Sequence, residues 1–194
     1  MTTLPTNYWF TPALREQLVE LIKYPNETPN LLCFYGEPGT GKTSVARHIA
    51  DVLAVDSRIF NMDHKQNLGN RFIDSERLWF EGNSLLTCID TERPVSKVTI
   101  LDEFHNLKHS EQDKFKTLFD AVPKNHWVIV CLNTAHNKTL RQTLSSAIYS
   151  RLHSIDFNIK ENEVTPLAQM IVEEYSLLTE YEVKAWLPDF RKIQ

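Results

Sequence analysis

Apolar residues in this chain carry two signatures: short unbroken runs, which predict buried strands, and stripes spaced three and four apart, which predict helices. The runs are Leu31 to Tyr35, Arg58 to Met62, Val98 to Leu101, His126 to Leu132 and His153 to Phe157. The stripes lie between them. Leu14, Leu18, Leu21 and Ile22 follow Thr11-Pro12, an N-cap residue with a first-turn proline, and Pro25 closes that segment. Val45, Ile49, Val52 and Leu53 predict a helix over Ser44 to Leu53. Phe115, Leu118, Phe119 and Val122 predict another, opened by a capping box at Ser110 to Asp113 and closed by Pro123. Leu140, Leu144, Ala147 and Ile148 place a further helix within Lys138 to Ser150. Strands alternating with helices predict an α/β fold: a five-stranded parallel sheet with helices on both faces.

Two regions differ from this rhythm. Residues 63–94 have no clean period. Leu78-Trp79-Phe80 and Leu85 to Ile89 are apolar, Asn67 to Asn70 resembles a turn, and Lys65, Arg71 and Arg77 read as solvated cations. Beyond residue 159 the pattern is helical throughout. Thr165-Pro166 opens a stripe of Leu167, Met170, Ile171, Tyr175 and Leu178. Thr179 to Glu182 forms a capping box before Val183 and Trp186. Pro188 to Lys192 starts a third helix, and the chain stops at Gln194. The expected division is an α/β domain over 1–159 and a small, apparently incomplete helical lid over 160–194.

Chemistry concentrates at the ends of the runs. Gly36-Glu37-Pro38-Gly39-Thr40-Gly41-Lys42-Thr43 matches the phosphate-loop pattern at every fixed position, with a predicted strand before it and a helix from Ser44 after it. Backbone N–H groups of such a loop, and the helix N-terminus behind it, hold phosphate oxygens. Lys42 is expected at the β- and γ-phosphates and Thr43 on Mg²⁺. The run Val98 to Leu101 ends in Asp102-Glu103, placing two carboxylates at the sheet edge where ligands of open α/β sheets bind. Asp102 suits the metal and Glu103 the attacking water. Asn133 ends the next run; it fits either a contact to that water or γ-phosphate, or an ordinary turn. Tyr8-Trp9-Phe10 reads first as packing and second as a wall for an adenine.

Composition narrows the class. The chain has 194 residues, 42% of them hydrophobic, enough for a packed core. It lacks an apolar run that could span a bilayer and a basic leader, so no membrane and a cytoplasmic site, host cytoplasm if viral, are expected. Cys33, Cys88 and Cys131 form no CxxC pair and read as reduced thiols. A net charge of −4 excludes coating nucleic acid by bulk charge, so DNA contact needs a local patch or a shared surface. His105 and His109 lack a third ligand and read as a solvated pair.

Taken in order, these residues resemble the AAA+ ATPases, in particular the ATPase subunit of tailed-phage-type sliding-clamp loaders. Gly36 to Thr43 is similar to Walker A, Ile100 to Phe104 to Walker B, and Val128 to Asn133 to the strand ending in sensor 1. Ser150-Arg151 with Ile155 to Phe157 is similar to the Ser-Arg-Cys motif, and Leu187 to Lys192 to the sensor 2 helix. The resemblance covers about residues 30 to 194, with a gap at 63–94. It implies ATP and Mg²⁺ as cofactors and Asn133 as sensor 1. It also implies Arg151 acting in trans on a neighbour's ATP, and Arg191 on the γ-phosphate of its own subunit. Implied partners are other AAA+ subunits, a sliding clamp, and primed DNA held by the assembled ring. Leu152 stands where clamp loaders have cysteine, and Tyr8-Trp9-Phe10 does not match their N-terminal Tyr-Arg-Pro signature. Their helical collar domain has no counterpart here, which implies a truncated chain or a small relative that assembles otherwise.

Other functions fit parts of the pattern. A helicase loader or another phage or plasmid replication ATPase keeps the same site. Asp102-Glu103-Phe104-His105 spells a DExH helicase box, but Leu132-Asn133-Thr134 replaces the Ser-Ala-Thr of a helicase and a second motor domain is missing. A structural subunit that binds ATP without hydrolysing it would not need Glu103.

Overall fold

The computed structural model describes Leu4 and residues 9–64, 69–82, 93–134, 139–175 and 178–190. Leu31–Gly36 (β1), Ala54–Asn61 (β2), Val95–Asp102 (β3), His126–Asn133 (β4) and His153–Asp156 (β5) form one sheet. Its order is β2-β3-β4-β1-β5, and every pair is parallel. The central strands are buried on both faces, which is why they appear as unbroken apolar runs. Successive residues point to opposite faces. Leu32, Phe34, Ile129 and Cys131 join Leu18 and Ile22 of Pro12–Lys23 (α1) and Ile49 and Leu53 of Lys42–Leu53 (α2) in one cluster. Cys33, Val128, Val130 and Leu132 join Phe72 and Phe80 of Asn70–Glu81 (α3), with Phe104, Phe115 and Ile148, in the other. The expected layering is therefore the one observed.

Several boundaries differ from expectation, each for a local reason. α2 begins at Lys42, two residues before Ser44, because Gly41 takes the left-handed conformation and serves as its N-cap. β2 begins at Ala54, four residues before Arg58. It is an edge strand with Asp56, Ser57 and Arg58 facing outward at least in part, so no apolar run marks its start. α3 fills part of the patternless stretch. Its buried stripe is Phe72, Ile73, Glu76 and Phe80, and the carboxylate in the middle hides the period.

The helix expected after Ser110 is broken into His109–Gln112 (α4), a 3₁₀ turn over Asp113–Phe115, and Lys116–Asp120 (α5). Its cap lies earlier than expected, with the Glu111 carboxylate accepting from the Lys108 N–H at 2.9 Å. The next helix also splits, into Leu140–Thr143 (α6) and Ser146–Tyr149 (α7), because Leu144 is extended and Ser145 caps the second piece. Fully buried Gln112 joins the two breaks. Its Nε2 donates to the carbonyls of Leu107 (3.1 Å) and Thr143 (3.0 Å), and its Oε1 accepts from the Ser145 N–H (2.7 Å). Three satisfied bonds make this buried amide a fixed link between the segment after β3 and the segment after β4.

After β5, Glu161–Glu174 (α8) and Glu180–Trp186 (α9) pack on each other through Leu167, Ala168, Ile171 and Val183, with Trp9 joining them. α8 starts at Glu161, four residues ahead of Thr165, and so carries Pro166 inside it; Glu163 caps it by accepting from the Lys160 N–H at 2.9 Å. The Thr179 cap of α9 is as expected. Cys88, Lys65 and the apolar Leu85 to Ile89 lie outside the described residues, as do Arg191 and Lys192 of the expected third helix. No helix among the described residues is long and apolar enough to cross a membrane.

α3 is fastened by buried charge. Glu76 accepts from Arg58 Nη1 and the Thr99 hydroxyl, each at 3.2 Å. Lys97 Nζ, buried below, donates to the carbonyls of Trp79 and Gly82. Burial pushes the Glu76 carboxyl up and the Lys97 ammonium down. His126 is pushed down to about 4, by burial first and the Lys97 charge second. The unfolded chain takes up that proton near 6.5, so the folded state loses stability as pH falls from about 6.5 toward 4. Denaturant midpoints should drop across that window in the native chain and less steeply in His126→Phe; equal slopes would show that His126 is not the group responsible.

Candidate functional site

The site is assembled where β1, β3 and β4 end together. Gly36 and Asn133 are register partners, and Leu101 pairs with Val130 one strand over. The residues that follow therefore leave the sheet at one level, beside the loop between β1 and α2. In that loop Gly39 and Gly41 have φ of 84° and 86°, conformations that side-chain-bearing residues seldom adopt. A Cβ on Gly39 would lie 2.1 Å from Asp189 Oδ1, and the Phe190 N–H donates to the Gly39 carbonyl at 3.1 Å. The chain after α9 thus lies against the loop.

Lys42 is 6% exposed and folds back over the loop. Its Nζ donates to the carbonyls of Gly36 (3.0 Å) and Glu37 (2.6 Å) and to Thr40 Oγ1 (3.2 Å). Thr40 donates in turn to the Glu37 carbonyl, and the Glu37 N–H donates to Asn158 Oδ1. Gly36, Glu37 and Thr40 thus brace the loop. Pro38, Gly39, Gly41, Lys42, Thr43 and Ser44 line a cavity of about 220 Å³. Asp102, Glu103 and Asn133 close its far side.

Thr43 Oγ1 donates to Asp102 Oδ1 at 2.9 Å, so a hydroxyl and a carboxylate meet at the cavity wall. Hard oxygens of this kind, beside backbone donors at a helix N-terminus and a buried ammonium, suit a magnesium–triphosphate. Glu103 is the only non-glycine with positive φ among the described residues (φ 57°, ψ 34°). That conformation costs about 1–2 kcal/mol. Glu103 Oε2 accepts from Asn133 Nδ2 at 3.2 Å and lies 3.3 Å from His105 Nε2. The two expected residues are therefore in direct contact, at the cavity.

His105 is a correction. It is half-buried and bonded, with the Asn133 N–H donating to its Nδ1 at 3.1 Å, whereas His109 is exposed. The two are not a solvated pair. Sequence spacing could not show this, because the partners of His105 come from another strand. No group of three or more His, Cys, Asp or Glu capable of holding a metal occurs among the described residues. A second cleft, of about 680 Å³, adjoins the first and is lined by His105, Leu107, Lys108 and Gln142; Asn133 borders both.

Arg151 follows α7 and is not among the residues that line the phosphate cavity. Its guanidinium meets Asp120 side-on, Nε to Oδ1 at 2.7 Å and Nη2 to Oδ2 at 3.1 Å, and Nη1 donates to the Ala147 carbonyl. That pairing lowers the Asp120 pKa. Arg191 and Tyr8 lie outside the described residues. Trp9 packs edge-on against Tyr175, and Phe10 against Phe157 in the core, in keeping with the packing reading. Lys42→Ala should abolish binding of a fluorescent ATP analogue with circular dichroism unchanged; retained affinity would place the phosphates elsewhere.

A model of the family described as "ATPase family associated with various cellular activities (AAA)" matches residues 32–157. No curated protein sequence matches. Among solved structures, a RuvB variant from Thermotoga maritima is similar, with a TM-score of 0.52 at 13% identity. The match covers 89% of this chain and 54% of that one, so this chain spans about half its length. At that identity the likeness shows a shared fold, while the family match spans the loop, both carboxylates, Asn133 and Arg151. The chain belongs to the AAA family of ATPases, enzymes that bind ATP with Mg²⁺ and hydrolyse it.

Proposed function

We propose that this ATPase is a switch of DNA replication that loads a sliding clamp onto primed DNA, with Mg-ATP held at subunit interfaces. Residues 1–159 form its nucleotide-binding unit and 160–194 its lid. The observation that carries the reading is the position of Arg151, outside its own phosphate cavity and on the segment leading into β5. A cation there is better placed for a neighbour's γ-phosphate than for its own. The order of motifs along the chain supports the clamp-loader assignment. A helicase loader would keep the same site and differ in cargo.

The residues divide the work as follows. Phosphate oxygens replace the loop carbonyls that now hold Lys42. Thr43 and Asp102 would hold Mg²⁺, which would supply neutralisation of charge on the phosphates. Glu103 accepts the proton of the attacking water, and Asn133 turns from Glu103 to the γ-phosphate. Arg151 leaves Asp120 and stabilises transition-state charge across the interface, a contribution of about 10³–10⁵ in rate where measured in other phosphate-loop enzymes. Arg191 serves the γ-phosphate of its own subunit. Because Glu103 is already aimed at the cavity, a subunit that binds ATP without hydrolysing it is disfavoured.

Glu103→Gln should bind ATP normally and lose turnover by roughly 10²-fold or more; a normal rate would show that another group is the base. Turnover per subunit should rise with protein concentration, and mixing Arg151→Ala with Lys42→Ala should restore part of the lost activity. A rate independent of concentration, with no rescue, would rule out action in trans. Primed DNA together with the cognate clamp should stimulate turnover. Stimulation by a helicase instead would assign the loader function.

A further inference from the structure

The Glu103 carboxylate has two side-chain nitrogens beside it, and only one of them belongs to the machinery described above. Asn133 Nδ2 donates to Oε2 at 3.2 Å, and His105 Nε2 approaches the same oxygen at 3.3 Å. The His105 tautomer follows from its other nitrogen. Nδ1 accepts the Asn133 backbone N–H at 3.1 Å and so carries no proton. The proton of the neutral ring therefore lies on Nε2, the nitrogen that stands 3.3 Å from Glu103 Oε2. Burial, aided by the Lys42 charge, favours this neutral ring against the charges of Glu103, Asp63 and Asp102.

The two donors to Glu103 are not equivalent. The Asn133 bond is made by a side-chain amide, which is lost when that amide turns toward phosphate. His105 is anchored to the backbone of β4, which side-chain rotation does not move. It also stands two residues beyond Glu103, on the 3₁₀ turn Phe104–Asn106, and Phe104 fixes that turn by its complete burial. Both nitrogens lie beside Oε2, so Oε1 remains for the water.

We propose that His105 is a positioning residue for ATP hydrolysis: it holds the Glu103 carboxylate by Oε2 and fixes it to the end of β4 through the Asn133 backbone. The proposal rests on the reading of Glu103 as the base. While Asn133 is engaged elsewhere, His105 remains as the side-chain neighbour of the Glu103 carboxylate at the phosphate cavity. A base displaced by about 1 Å can lose roughly 10²-fold in rate.

The test compares three variants of the full chain with the native protein, reading kcat, affinity for a fluorescent ATP analogue, and melting temperature. Glu103→Gln is the reference for the base itself. His105→Ala should lower kcat roughly 10- to 100-fold with affinity and melting temperature unchanged. His105→Gln should recover most of that loss, because its amide nitrogen can reach the place of Nε2. Nitrogen-15 spectra of the native ring should show the proton on Nε2. Turnover retained in Glu103→Gln would refute the base and not the histidine contact. Turnover lost in Glu103→Gln but normal in His105→Ala would overturn the proposal. So would a kcat loss accompanied by falling affinity or melting temperature, a glutamine variant no better than alanine, or a proton on Nδ1.

Discussion

The site depends on strand register. Gly36 of β1 and Asn133 of β4 are paired, and β3 joins the other edge of β4 so that Asp102 and Glu103 emerge at the same level. A slip of one residue in either pair would turn every side chain to the opposite face. It would move the carboxylates behind the sheet and carry Asn133 away from Glu103. The register is secured by burial of both faces of the central strands, since Leu32, Phe34, Ile129 and Cys131 fit one cluster and Cys33, Val128, Val130 and Leu132 the other. Positioning at the edge is therefore a consequence of apolar packing in the middle.

Buried polar groups then determine how the two layers are connected to that edge. Gln112 ties the segment after β3 to the one after β4, so the walls behind Glu103 and Asn133 are held to each other. Glu76 and Lys97 fasten α3 over β2 and β3 in the same way. Such groups are expensive to bury and become unfavourable when one partner is lost, which makes the arrangement specific.

What was legible in the sequence follows from these two kinds of force. Apolar packing leaves a period, so the five strands, α1, α2 and the layering could be read directly. The phosphate loop could be read because its backbone demands glycines, and Asp102-Glu103 because a strand ends there. Buried polar contacts leave no period. Glu76 concealed α3, Gln112 and Ser145 divided two apparent helices into short pieces, and outward-facing Asp56 and Arg58 concealed the start of β2. Within the site, Lys42, Thr43, Asp102, Glu103 and Asn133 were legible and are brought together. The role of His105 was not, because Asn133 lies 28 residues away and only the β3–β4 pairing makes them neighbours.

The central claim is that the loop and three strand ends form one Mg-ATP-hydrolysing site. Asp102→Asn tests it most directly, since this change leaves shape intact and removes the charge that Thr43 now contacts. Steady-state ATP hydrolysis should depend on Mg²⁺ in the native chain and fall by at least about 10²-fold in Asp102→Asn, while the ATP analogue still binds. Hydrolysis at the native rate in Asp102→Asn would contradict the account, because the metal would then be held by other residues.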